Sequence, residues 1–364
     1  MSSQSDSHEL RALTGIRGVA AAWVVLFHFD GFKVLFPWMG WLNPVTGHGW
    51  VGVDLFFILS GLILSYVYHS QDTQLTPREY GRFVWFRLAR IYPTHVATLA
   101  LLCAMVGAAA LLHIHMGGNY SAKTLVFQLT LTHTWPFVPQ DDGWNFPSWS
   151  ISAEWFAYLC IFPLSWFLLR KIGNRPIALV LLTIASLEAW VLMSQVKEAK
   201  EFLALLRVSC EFLAGAFMFG YYRGGGGGPL FFQRFLDVLV VALVFALFHL
   251  SGASYQVIFF FPFLLLGLTR ETSLFARFLS TRALHWMGNV SFSLYMTHAI
   301  VIKLLTALLP LPKFAGASPG VRLGVFAVYM AAMAALAAGI YYLVEVPSRN
   351  FLRRVYVTRF SKSH

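Results

Sequence analysis

Acidic side chains are scarce in this sequence: 16 Asp and Glu stand against 27 Lys and Arg, and charged residues of either sign fill only 12% of 364 positions. A soluble domain carries about twice that charged fraction, which excludes an ordinary water-soluble globule. Cysteine is scarcer still. Cys103, Cys160 and Cys210 all fall in apolar runs, and an odd set in such surroundings gives no disulfide framework. A glycine-rich phosphate loop is absent, as is any nucleic-acid module. The excess of cations therefore marks the cytoplasmic ends of membrane spans rather than a nucleic-acid partner.

What fills the chain instead is apolar. Hydrophobic residues make up 58% of it, with a mean hydropathy of +0.64, and the pattern predicts one all-α, polytopic membrane domain over residues 1–364. About ten spans are expected, near 12–31, 50–69, 93–113, 148–169, 176–194, 202–222, 235–250, 254–269, 286–309 and 322–345. With the N-terminus inside, the cytoplasmic segments hold 18 of the Lys and Arg residues and the outer loops 6, a bias that places both termini in the cytoplasm. The first span, preceded by polar residues and interrupted by Arg17, reads as a retained anchor. Residues 77–92, PREYGRFVWFRLARIY, read as an interfacial cytoplasmic amphipathic helix that starts at Pro77, with Pro93 opening the next element.

The outer loop from His115 to Pro147 is too long for a simple turn and is expected to act in function, as a lid or a surface for sugars. It holds Trp135, Phe137, Trp144 and Phe146 together with Asp141, Asp142 and Asn145; an interfacial aromatic belt is the favoured reading of the tryptophans, with sugar stacking the alternative. Gly224 to Gly228 reads as a flexible linker. His113 and His115 flank a span boundary without making a metal site, and no metal is expected.

Ionisable residues inside spans are costly and face a bundle interior or a wet cavity. Arg17 and His28 are eleven residues apart in LTGIRGVAAAWVVLFHFD, three helical turns plus about 20°, so both project from one face with a rise of roughly 16 Å. Taken alone, Arg17 can snorkel to the headgroups and His28 can be a packing residue. Orientation, however, brings His28, Asp54, Glu154 and His298 from four helices toward the outer side. On the inner side, Arg87 and Arg90 share a helical face, and such forks suit phosphate; anionic lipid is the competing partner. Arg207 and Glu211, at i and i+4, are expected to neutralise one another, and Glu345 sits at a helix end near cytoplasmic arginines.

These residues occur in a familiar order. Arg17 with ten residues before His28, Arg87-x-x-Arg90 followed by Ile91-Tyr92-Pro93, the stretch Gly52 to Gly61 around Asp54, Trp149 to Phe156 around Glu154, and Ser291 to His298 together resemble membrane acyltransferase family three, the O-acyltransferases of bacterial polysaccharides and related glycans. The resemblance implies ten spans in the bacterial inner membrane, acetyl-coenzyme A or another acyl-coenzyme A as co-substrate, and a glycan or lipid-linked oligosaccharide as acceptor, amid membrane lipids and without nucleic acid. By resemblance, Arg17, Arg87 and Arg90 bind the donor and His28 is catalytic. No soluble esterase-like domain is expected beside the membrane part.

On that basis neutral His28 is expected to act as general base on an acceptor hydroxyl. Glu154 is the candidate to hold the other ring nitrogen; Asp30 can do so only if the helix has ended before it. Asn145, Trp149 and Tyr295 are candidate oxyanion donors, with Asp54 and His298 supporting the acceptor side. A covalent acyl-enzyme route stays open. The competing class is a transporter or channel in which the same buried charges line a solute or ion path; the lack of an internal repeat disfavours the duplicated transporter folds.

Overall fold

The computed structural model describes residues 3–69, 74–114, 120–136, 138, 144–172, 200–223, 230–250, 255–269 and 273–360, with isolated positions at 177, 180 and 183. Among them there is no strand. The helices are α1 (Ser3–His28), α2 (Gly31–Leu35), α3 (Asn43–Thr46), α4 (Gly52–His69), α5 (Pro77–Leu111), α6 (Ala122–Leu129), α7 (Trp149–Phe156), α8 (Phe162–Ile172), α9 (Lys200–Arg223), α10 (Leu230–Leu250), α11 (Phe261–Leu268), α12 (Leu274–Leu279), α13 (Arg282–Leu308), α14 (Pro319–Ile340) and α15 (Val346–Phe360). The all-α expectation holds. Among the described residues, six helical segments are long and apolar enough to cross a membrane, Pro37–His69, Pro77–Leu111, Phe146–Lys171, Ala204–Arg223, Arg282–Leu308 and Pro319–Arg359, and Phe235–Leu250 and Gln256–Leu268 are shorter apolar helices. Of the other expected spans, 12–31 is helical to His28 but carries Arg17 and follows directly on Arg11, and 176–194 lies outside the described residues save for its isolated positions.

One boundary differs from expectation. Thr76 caps α5 by accepting from the Glu79 amide at 3.2 Å, with Pro77 at the first turn, the arrangement that starts a helix. The helix then runs through Pro93 to Leu111 as one 35-residue rod. Pro93 removes a single ladder bond, to the Ala89 carbonyl, and spans tolerate such a loss. The amphipathic stretch and the following span are therefore one element, not two.

The fold divides into two compact units. The first comprises Met1–His28, Trp38–Thr73 and Cys160–Ser291; the second comprises Phe29–Pro37, Gln74–Leu159 and Phe292–His364. In the first unit, Leu13, Ile16, Leu55, Ile58 and Leu62 pack with Phe217, Phe261 and Leu265 in one apolar core. What permits that core is the absence of side chains at crossings. A Cβ on Gly61 of α4 would strike the Phe212 carbonyl, and one on Gly215 of α9 would strike the Ile58 carbonyl, so the two glycines face each other's backbones. Gly18 of α1 meets the Gly288 backbone of α13 in the same way, and Gly288 meets the Thr14 carbonyl. With no hydrophobic driving force between helices in lipid, such close backbone approach is what holds them.

In the second unit, Phe29 packs on Tyr329 with ring centroids 4.9 Å apart, and Tyr329 donates to the Leu309 carbonyl at 3.0 Å. Helix α15 lies along the start of α5: the Trp85 indole donates to the Leu352 carbonyl at 2.9 Å, and Tyr356 meets Phe86 at 5.6 Å.

Replacing Gly61 or Gly215 by leucine is expected to destabilise the first unit by about 2 kcal/mol or more, since backbone cannot yield as a side chain can. Thermal melting of the detergent-purified protein checks this, with Gly324→Leu, which meets open space, as the unaffected control.

Candidate functional site

In the first unit, α1 is continuous from Ser3 to His28, so the predicted register of Arg17 and His28 on one face is realised. His28 is the last residue of that helix and half-buried. Its Nδ1 lies 3.0 Å from the Val24 carbonyl one turn back. A carbonyl only accepts, so Nδ1 carries the hydrogen, and in the neutral ring Nε2 is left with its lone pair. The Phe27 ring stands edge-on to the imidazole at 4.9 Å. Thus the ring is oriented from within its own helix.

Asp30 follows after the helix has ended, which meets the condition set for it. Its side chain is nevertheless 90% exposed and lies 3.7 Å from Lys33. Asp54 is fully buried on α4 and forms an ion pair with Arg207 of α9, Nε to Oδ1 at 2.6 Å. The expected Arg207–Glu211 pair is present at 3.3 Å, so one guanidinium serves two carboxylates, with its carbon 5.5 Å from the centre of the Trp50 ring. The third member of that cluster was not legible, because Asp54 and Arg207 are far apart in sequence.

The second unit holds the paired forks. Arg90 forms an ion pair with Glu345, whose other oxygen accepts from Ser293 at 2.7 Å. Glu345 is buried in the π-helical turn Tyr341–Glu345 that joins α14 to α15. Arg90 also lies 5.8 Å over Phe292 and Arg87 lies 5.9 Å over Phe83. Arg90 is therefore oriented by an aromatic face as well as by charge, and Arg87 by an aromatic face.

Glu154 accepts the Tyr158 hydroxyl at 2.5 Å, one turn along. Asn145 is buried, and its amide nitrogen donates to the Met296 carbonyl at 3.0 Å and to the Thr98 hydroxyl at 3.4 Å; its oxygen has no partner among the described residues. Trp149 is half-buried, its carbonyl 3.5 Å from the Thr134 hydroxyl. Tyr295 and His298 are buried together on α13, with His298 Nδ1 at 2.6 Å from the Tyr295 carbonyl.

Sequence reasoning missed a buried polar network beneath the long loop. His95 Nε2 donates to the Gln128 carbonyl at 2.8 Å, Ser148 donates to the Gln128 side chain at 3.0 Å, and His133 Nε2 lies 3.2 Å from that same hydroxyl. Trp144, considered for sugar stacking, is instead buried, and its indole donates to Thr124 at 3.0 Å. Trp135 donates to the Ser152 carbonyl at 3.2 Å. The described parts of the loop are thus pinned, whereas Phe137, Asp141 and Asp142 lie outside the described residues. Only the run of hydroxyl and amide residues between apolar stretches could have signalled this network.

With this geometry in place, comparison with known proteins defines the class. Residues 10–343 match the family model described as "Acyltransferase domain", and the chain belongs to that membrane acyltransferase family. Among relatives, it is 34% identical over 171 residues to "Acyltransferase MdmB" of Streptomyces mycarofaciens, covering 46% of this chain and 41% of that protein. It is 22% identical over 341 residues to "Peptidoglycan O-acetyltransferase OatA" of Listeria monocytogenes, covering 83% of this chain and 51% of that one. It is 31% identical over 157 residues to "Putative membrane-bound transacylase BcsY" of Komagataeibacter xylinus, covering 42% and 36%. The chain thus spans about half or less of the length of these relatives. No solved structure matches it.

Two outcomes follow. Burial, reinforced by the neighbouring His95, pulls His133 from 6.5 down to about 4. Between those values the unfolded chain binds a proton that the folded ring refuses, so stability is greatest above pH 6.5 and is lost as pH falls toward 4, by about 3 kcal/mol. Melting curves across that range should show the slope, and His133→Gln should flatten it. Glu345→Gln should leave Arg90 as an uncompensated buried charge and destabilise the protein by about 3 kcal/mol or more, as read by thermal melting.

Proposed function

We propose that the chain transfers an acyl group, most simply acetyl, from acyl-coenzyme A on the cytoplasmic side to a glycan hydroxyl on the outer side of a bacterial inner membrane, with both termini cytoplasmic. The observation that carries the reading is the His28 ring: with Nδ1–H held by the Val24 carbonyl, Nε2 is the acceptor nitrogen that a general base needs. Nε2 takes the proton of the acceptor hydroxyl as its oxygen attacks the thioester carbonyl. The carbon–sulfur bond then breaks, and the imidazolium returns the proton to the departing thiolate. Val24 supplies the orienting contact that a carboxylate supplies in a catalytic triad, the place for which Glu154 is the sequence candidate.

Donor recognition falls to Arg17, Arg87 and Arg90, since guanidinium forks bind phosphate oxygens in pairs. A glycan acceptor is supported by one relative whose name cites peptidoglycan O-acetylation and by family membership. Asn145, Trp149, Tyr295, His298, Asp54 and Asp30 are assigned to the acceptor side, as structural support or contact. His28→Ala should abolish acyl transfer while acetyl-coenzyme A still stabilises the protein thermally. Retention of near-normal turnover by that variant would remove His28 from the chemistry.

A further inference from the structure

The arginine cluster of the second unit has more donors than acceptors. Glu345 is the carboxylate that pairs with Arg90 and, at 3.8 Å, with Arg349 one turn along on α15. The charges of Arg87 and Arg349 both act on Arg90. Three guanidiniums against one carboxylate leave an excess of two positive charges. Moreover, Nε of Arg87 and Nε of Arg349 are both buried and have no hydrogen-bond partner among the described residues. Buried guanidinium donors are ordinarily satisfied, so two unbonded Nε donors flanking Arg90 suit a further acceptor. It must be anionic, to offset the charge, and must offer several oxygens, to meet forks from two helices.

The scaffold around the cluster is fixed. Arg353 of α15 and Arg82 of α5 each lie 5.4 Å over the Phe86 ring. The Trp85–Leu352 hydrogen bond ties the same two helices together. Arg349 is therefore held where α15 meets α5, rather than swinging on a free tail.

We propose that Arg349 completes, with Arg87 and Arg90, a three-arginine binding site for a phosphate ester. That group is carried both by a coenzyme A donor and by an anionic phospholipid headgroup; the donor as source rests on the function proposed above. Glu345 is the positioning residue that aims two of the three forks.

The full chain, purified in neutral detergent, is titrated with adenosine 3′,5′-bisphosphate and, separately, with phosphatidylglycerol against phosphatidylcholine, following thermal shift. Nucleotide binding by the unaltered protein, weakened about tenfold or more by Arg349→Gln and less by Arg349→Lys, supports the site with the donor as its source. Stabilisation by phosphatidylglycerol alone, lost in Arg349→Gln, supports the phosphate site while removing the coenzyme A reading. Unchanged nucleotide binding by Arg349→Gln overturns the role of Arg349 and leaves that reading intact. A protein that responds to neither ligand overturns both. If Arg349→Gln does not fold, Arg349→Lys carries the comparison, because it keeps the charge and loses the fork.

Discussion

A carboxylate without water needs a cation, and the second unit is arranged around that requirement at Glu345. Its two oxygens are taken by Arg90 of α5 and Ser293 of α13, and its own position is the turn between α14 and α15. Three long helical segments thus converge on one buried charge. Removing a partner from such a pair is far more damaging than the pair is stabilising, so the arrangement specifies geometry more than it adds stability. The first unit repeats the logic with Arg207 between Asp54 and Glu211.

Among the described residues, both π-helical turns carry a carboxylate or a hydroxyl bonded to one. Tyr341–Glu345 contains Glu345 itself, and Ala157–Ile161 contains Tyr158, which donates to Glu154. An extra residue in a helical turn re-aims the side chains on either side of it. The rest of each helix can then keep its apolar face. Against this polar machinery the glycine crossings of α4 with α9 and of α1 with α13 supply close packing that needs no charge.

Much of this was legible in sequence. Hydropathy gave the long apolar helices among the described residues, helical arithmetic placed Arg17 with His28 and Arg87 with Arg90, and i, i+4 spacing gave the Arg207–Glu211 pair. Local rules failed where partners are distant. Glu345 read as a residue near arginines, which is correct, yet its burial and its hold on Arg90 come from 255 positions away. Pro93 read as a boundary because a proline normally ends a helix, while in α5 the helix continues through it. The Val24 carbonyl, which orients His28, carries no sequence signal at all: any residue there offers the same oxygen. Trp144 looked available for sugars and is buried instead.

The central claim is chemistry across a bilayer, driven by a donor that meets arginines on one side and a base that serves an acceptor on the other. It is tested most directly in sealed proteoliposomes containing the full chain, with acetyl-labelled coenzyme A confined to one compartment and an oligosaccharide acceptor to the other. The account predicts ester-linked label on the acceptor, and only when the donor faces the arginine side. Label that crosses as free acetate, or an acceptor that is modified only when it shares the donor's compartment, would contradict it.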